Sequence, residues 1–148
     1  IGENLVKSLR NLGYSSITGI ARSKESSEKI NGLNIECYLD DGDTEHLTRL
    51  FKERNFDTVI PLASLYLKNH QSKQIEDLVI SNVLFGTRLL EASVKSTVKH
   101  FINTGTFWQH YENKPYSPVN LYAATKQAFE VISQYYRETS SLFFTTLY

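Results

Sequence analysis

The chain has 148 residues, 41% hydrophobic and 22% charged, and its 16 basic and 16 acidic side chains cancel. That length supports one ordinary core and not two, and a balanced surface with a pI near 7.1 offers no cationic excess for nucleic acid or an acidic membrane. The single cysteine, Cys37, excludes an internal disulfide and fits a reducing compartment, by default the cytoplasm, while no apolar run approaches the length of a membrane span.

The opening residues, "IGENLVKSLRNLGY", place Leu5, Val6, Leu9 and Leu12 on one helical face with Gly13 as the stop, an amphipathic helix rather than a signal peptide. "SSITGIA" reads as a short strand, "SKESSEKI" as a polar helix and "LNIECYL" as the next strand. "DTEHLTRLFKE" is a helix starting at an acidic cap, and "FDTVIPLAS" is a buried strand with no polar face. A long helix is expected from about Gln74 to Lys95, then the strand "VKHFINT" and an irregular loop from Gly105 to Asn120. The helix "LYAATKQAFEVISQYYRET" and a last strand, "SLFFTTLY", complete the chain.

Strands that each follow a helix argue for the α/β class, a doubly wound parallel sheet of Rossmann type with right-handed crossovers. In such a fold a central strand and a glycine-rich turn normally precede the first helix. Here the chain opens at Ile1-Gly2, inside a helical pattern and with no methionine anywhere. The expectation is a truncated domain, residues 1–148, that lacks its first strand, carries a gap between two halves of its sheet and is unstable in isolation.

Tyr122 and Lys126 stand four residues apart in "NLYAATKQAFEVI", which puts a phenol and an ammonium on one helix face, one turn apart. A free tyrosine, with a pKa of about 10, is a poor base near neutrality, and a nearby ammonium favours the phenolate. Lys126 would therefore tune Tyr122 for moving a proton. Taken alone, the spacing also fits an exposed helix pair.

The order of motifs is more specific. It resembles the extended short-chain dehydrogenase/reductases, the NAD(P)-dependent epimerase/dehydratase group that modifies nucleotide sugars, over essentially the whole chain. Ile1-Gly2 matches the end of the glycine-rich phosphate loop, and "FDTVIPLAS" the strand that usually reads histidine-leucine-alanine-alanine. "SNVLFGTRLLEAS" matches the family's helix, "HFINTGTFW" the strand leading to its active-site hydroxyl and "LYAATK" its Tyr-x-x-x-Lys.

This resemblance implies that Tyr122 passes a proton to or from a sugar oxygen while hydride moves to or from the cofactor, and that Lys126 also binds the nicotinamide ribose. Thr104 would hydrogen-bond the same sugar oxygen. Members that eliminate water carry an aspartate and a glutamate directly after this hydroxyl; Gly105 and Thr106 stand there instead, so reduction of a 4-keto-6-deoxyhexose or epimerisation is expected. A non-catalytic dinucleotide-binding sensor is the alternative, against which the retained tyrosine, lysine and hydroxyl speak.

For the cofactor, Ala21 cannot accept bonds from a ribose 2′-hydroxyl, whereas Arg22 suits a 2′-phosphate, which favours NADP(H) over NAD(H). Asp40, with Asp41 beside it, matches an adenine contact and equally suits an acidic turn. Leu62, Ala63 and Ser64 would form the strand end behind the cofactor, with Pro61 in place of the common histidine, and Asn82 would border it. Gly2 would let the pyrophosphate meet a helix N-terminus, and Trp108 either shapes the substrate pocket or packs. His46, His70, His100 and His110 show no ligand spacing, so no metal is expected. The implied partner is a nucleotide sugar, with no nucleic acid or membrane; oligomeric state stays open, a homodimer included. The resemblance implies that a C-terminal region builds most of the sugar pocket, and that region is expected to be missing from residues 1–148.

Overall fold

A computed structural model describes all 148 residues. They form two compact units, residues 1–43 and residues 44–148.

The first unit contains α1 (Gly2–Asn11), β1 (Thr18–Ala21), α2 (Lys24–Asn31) and β2 (Glu36–Leu39). The strands pair in parallel, from Thr18 opposite Glu36 to Ala21 opposite Leu39. Ser23 starts α2 from an extended backbone, its hydroxyl accepting from the Ser26 amide at 3.2 Å. Gly19 lets α2 settle on β1, since a Cβ there would lie 2.5 Å from Ile30 Cγ2. Gly13, at φ +91°, turns the chain after α1. Leu5, Val6 and Leu9 are half-buried as their spacing predicts. Leu12 is a correction: α1 ends one residue earlier, and Leu12 is 75% exposed.

The second unit contains α3 (Thr44–Arg54), β3 (Thr58–Val59), α4 (Ile75–Val79), a π-helical turn (Ile80–Leu84), α5 (Phe85–Val94), β4 (His100–Thr104), α6 (Leu121–Thr139) and β5 (Phe143–Leu147). Its sheet has the order β3-β4-β5, all parallel, with His100 opposite Phe143 and Thr104 opposite Leu147. Phe101 on β4 stacks on Phe144 of β5 (5.5 Å) and tilts against Phe129 of α6 (6.2 Å). Leu47 and Phe51 of α3 and Leu89, Leu90 and Ala92 of α5 are also buried; each larger side chain among them contributes roughly 1.5–3 kcal/mol. At Gly86 the α5 backbone meets the Phe129 ring so closely that a Cβ would stand 2.6 Å from it.

Strands and helices alternate and every pair is parallel, the doubly wound class that the sequence implies. Pairing runs in two separate ladders, β1-β2 in the first unit and β3-β4-β5 in the second. No helix is long and apolar enough to cross a membrane.

Two elements differ from the sequence reading. The strand expected through Ser64 ends at Val59. Pro61 has no N–H to give a ladder, and Leu62, Ala63 and Ser64 follow as an unpaired segment rather than a strand end. The single long helix is instead a 3-10 turn (Ser72–Gln74), α4, the π turn and α5. The π turn widens the helix by one residue, and it carries Ser81 and Asn82, both buried.

Candidate active site

The start of α6 is fixed by Asn120. Its extended backbone cannot continue the helix, and its Oδ1 accepts from the Ala123 amide at 2.9 Å. This sets the rotation of the first turns, which bury Ala123, Thr125 and Lys126 and leave Tyr122 half-buried. The Tyr66 ring stands edge-on to Tyr122 at 5.1 Å and tilts against Trp108 at 5.6 Å, so Tyr66 links the phenol to the indole in a row of three rings.

Lys126 is 7% exposed. No carboxylate of the chain lies within ion-pair distance of its Nζ, and no side chain or carbonyl accepts from it. Burial pushes the ammonium below its ordinary pKa, and the charge of Glu130, one turn further on, opposes part of that shift. An ammonium held in this way is poised to give hydrogen bonds to something other than the chain.

Asn82 is the hub beneath these residues. Its Oδ1 accepts from Ser64 Oγ (3.0 Å) and the Leu65 amide (2.8 Å), while its Nδ2 donates to the Leu65 carbonyl (3.0 Å) and to Thr125 Oγ1 (3.0 Å). Thr125 in turn donates to the Tyr122 carbonyl at 2.7 Å. Every polar atom of the amide is engaged. Asn82, Ser64 and the backbone of Tyr122, singled out separately in the sequence, thus form one chain of hydrogen bonds. Leu62 and Ala63 stand half-buried just before it.

Thr104 ends β4, half-buried, with its hydroxyl donating to the Pro61 carbonyl over a long 3.5 Å, a weak bond that leaves the oxygen able to take a better partner. Gly105 and Thr106 are committed to structure. A Cβ on Gly105 would lie 2.7 Å from the Tyr148 ring, and the Thr106 hydroxyl caps the 3-10 turn Phe107–Gln109 by accepting from the Trp108 amide. Gln109 is fully buried beneath this loop. Its Oε1 accepts from the Thr106 amide (2.9 Å), and its Nε2 donates to Gln127 (3.0 Å) and Glu130 (2.8 Å).

Within the first unit, Gly2 opens α1, whose first amides have no side-chain cap. Arg22 and Asp40 stand just past the ends of β1 and β2, where the Asp40 amide extends the ladder by donating to the Ala21 carbonyl (2.8 Å). Partial burial lowers the Arg22 pKa, and the Asp40 charge works against that. Asp41 takes the turn role: its Oδ1 accepts from the Asp43 amide at 2.9 Å.

A model of the NAD dependent epimerase/dehydratase family matches residues 1–148. The chain belongs to this family. Among members of known function it is similar to the CDP-abequose synthase of Salmonella muenchen, 33% identical over 138 residues, which is 93% of this chain and 44% of that protein. The UDP-glucose 4-epimerase of Thermotoga maritima, solved with UDP-glucose, superposes with a TM-score of 0.84 at 22% identity, covering 98% of this chain and 50% of that one. The Thermus thermophilus UDP-glucose 4-epimerase, solved with NAD, gives 0.77 at 23% identity over the same shares. The chain spans about half the length of these relatives, and the shared fold is the epimerase/dehydratase fold that the order of motifs implies.

Sequence reasoning did not single out Tyr66, Thr125, Gln109 or Glu130. Thr125 carried a faint signal, a polar residue at a core-facing position of an amphipathic helix. Gln109 and Glu130 lie in different elements, and no local pattern links them.

Proposed function

We propose that the chain is the cofactor-binding part of an NAD(P)-dependent oxidoreductase that reduces the ketone of a nucleotide-linked 4-keto-6-deoxyhexose. The observation that carries this reading is the unpaired Lys126 ammonium, at the tip of a largely buried side chain one helical turn from Tyr122. A partnerless ammonium on a largely buried side chain costs stability, and binding a ribose gives that cost a use. In this reading Tyr122 delivers the proton to the sugar oxygen, Thr104 holds that oxygen, and Lys126 orients the ribose and the phenol. A bound nicotinamide supplies the hydride. Asn82 keeps Tyr122 and the Leu62–Ala63–Ser64 segment in register so that the geometry is set before substrate arrives.

Elimination of water needs a further acid and base. With the space at Gly105 filled by Tyr148 and Thr106 serving as a cap, neither position can supply them, which supports reduction over dehydration. Ala21 and Arg22 favour NADP(H), with Asp40 moderating the attraction of Arg22 for a phosphate; Gly2 would face the pyrophosphate and Asp40 the adenine. Similarity to 4-epimerases favours a second reading, in which the same proton and hydride transfers run in both directions. The deciding experiment follows NADPH and NADH oxidation by the full-length protein with a CDP-4-keto-6-deoxyhexose, in wild type and Tyr122→Phe. NADPH consumption that the substitution abolishes supports the reductase. Interconversion of UDP-glucose and UDP-galactose without net cofactor consumption would replace it with the epimerase.

A further inference from the structure

Glu130 lies one turn beyond Lys126 on the same face of α6. Both of its oxygens are fixed, Oε2 by Gln109 Nε2 at 2.8 Å and Oε1 by the Tyr148 hydroxyl at 2.6 Å. Both donors are neutral, so they orient the carboxylate without cancelling its charge. The donors are themselves well held. Gln109 is fully buried and anchored to the Thr106 amide, and the Tyr148 ring sits against Gly105 and edge-on to His110 at 5.3 Å.

We infer that Glu130 is a positioning residue that acts on the reaction through Lys126, its immobilised carboxylate serving as the counter-charge that keeps the buried ammonium protonated and aimed. The inference rests on the reading of Tyr122 and Lys126 given above. Among the groups around α6, Glu130 is the carboxylate whose field reaches Lys126. Glu91, which α5 turns toward α6, is engaged instead with Tyr136 (3.1 Å) and Lys95 (2.9 Å). The phenols nearby are Tyr66, against Tyr122, and Tyr148, bound to Glu130. A salt bridge would tie the ammonium down. A carboxylate held by two neutral donors, without an ion pair to Lys126, supplies the charge and leaves the N–H groups free.

The test compares Glu130→Gln with Glu130→Asp in the full-length protein, with two readouts. The first is the titration of the Lys126 side chain by carbon-13 NMR of the labelled ε-carbon, which needs neither substrate nor turnover and so does not depend on the proposed activity. The second is the pH profile of kcat. Glu130→Gln keeps the shape and removes the charge; Lys126 then loses its proton at lower pH, and turnover stays within about twofold of wild type near pH 6 while falling about tenfold near pH 9. Glu130→Asp, which keeps the charge, restores most of the alkaline activity. A Lys126 titration that does not move in Glu130→Gln would overturn the inference, and so would an equal loss of kcat at every pH, the signature of a merely structural role. Tyr122→Phe judges the functional reading separately.

Discussion

Replacing Asn82 with alanine tests whether the candidate site is held together by one amide. The substitution removes four neutral hydrogen bonds, each worth about 1 kcal/mol net. Ser64 is exposed and its hydroxyl regains water, and Thr125 keeps its donation to the Tyr122 carbonyl. The two bonds to the Leu65 backbone are lost in full, together with the packing of the amide itself. The expected loss is about 2–3 kcal/mol, read as a fall in Tm of about 5–10 °C for a protein of this class. Because the freed segment carries Leu62 to Ser64 and the Thr125 link orients the Tyr122 turn, kcat/KM should fall on the order of 10²-fold.

Asn82→Asp sharpens the test. A carboxylate keeps both acceptor bonds but turns lone pairs toward the Leu65 carbonyl and toward Thr125, whose proton is already given to Tyr122. It should cost at least as much as alanine at pH 7 and recover below the carboxyl pKa, where a protonated group can donate again. Urea unfolding at pH 4 and pH 7 measures both. An Asn82→Asp protein as stable as wild type at pH 7, or a loss below about 0.5 kcal/mol for alanine, would refute the reasoning.

Tyr122→Phe should lower kcat about 10²–10⁴-fold while dinucleotide binding, followed by fluorescence titration, is retained; unchanged turnover would remove this phenol from the chemistry. Lys126→Met should abolish turnover yet raise the urea midpoint at pH 7, because it relieves a buried ammonium. The sign follows from the lowered pKa: in the window between the folded value and the ordinary value near 10.4 the unfolded chain binds a proton that the native chain does not, so stability rises with pH there, and Lys126→Met should flatten that rise. Gly86→Ala should destabilise by about 1–3 kcal/mol through overpacking against Phe129, and pairing it with Phe129→Leu should return part of the loss in a double-mutant cycle.

The elements of the fold were legible because they rest on local periodicity. Apolar residues at helical spacing marked α1 and α6, an acidic cap marked α3, and a β-branched run marked β1. The Tyr122–Lys126 spacing followed from the pitch of a helix, whereas the capping role of Asn120 came from the structure. Even so, local pattern failed where one residue changed the backbone chemistry. Pro61 ended β3 early for want of an N–H, and the π turn at Ile80–Leu84 left no mark in the spacing because one extra residue in a long apolar run looks like noise.

What the sequence determined by itself was therefore the alternation of parallel strands with helices and the residue types available for proton transfer. Only the tertiary structure decided how they work together. The burial of Lys126 without an acceptor, the four bonds of Asn82 across 17, 18 and 43 residues of chain, and the seating of Glu130 between Gln109 and Tyr148 all depend on which side chains the fold brings within 3 Å. Hydrogen bonds and charges act through distance in space, and for residues so far apart in the chain that distance is set by packing, which no local pattern encodes.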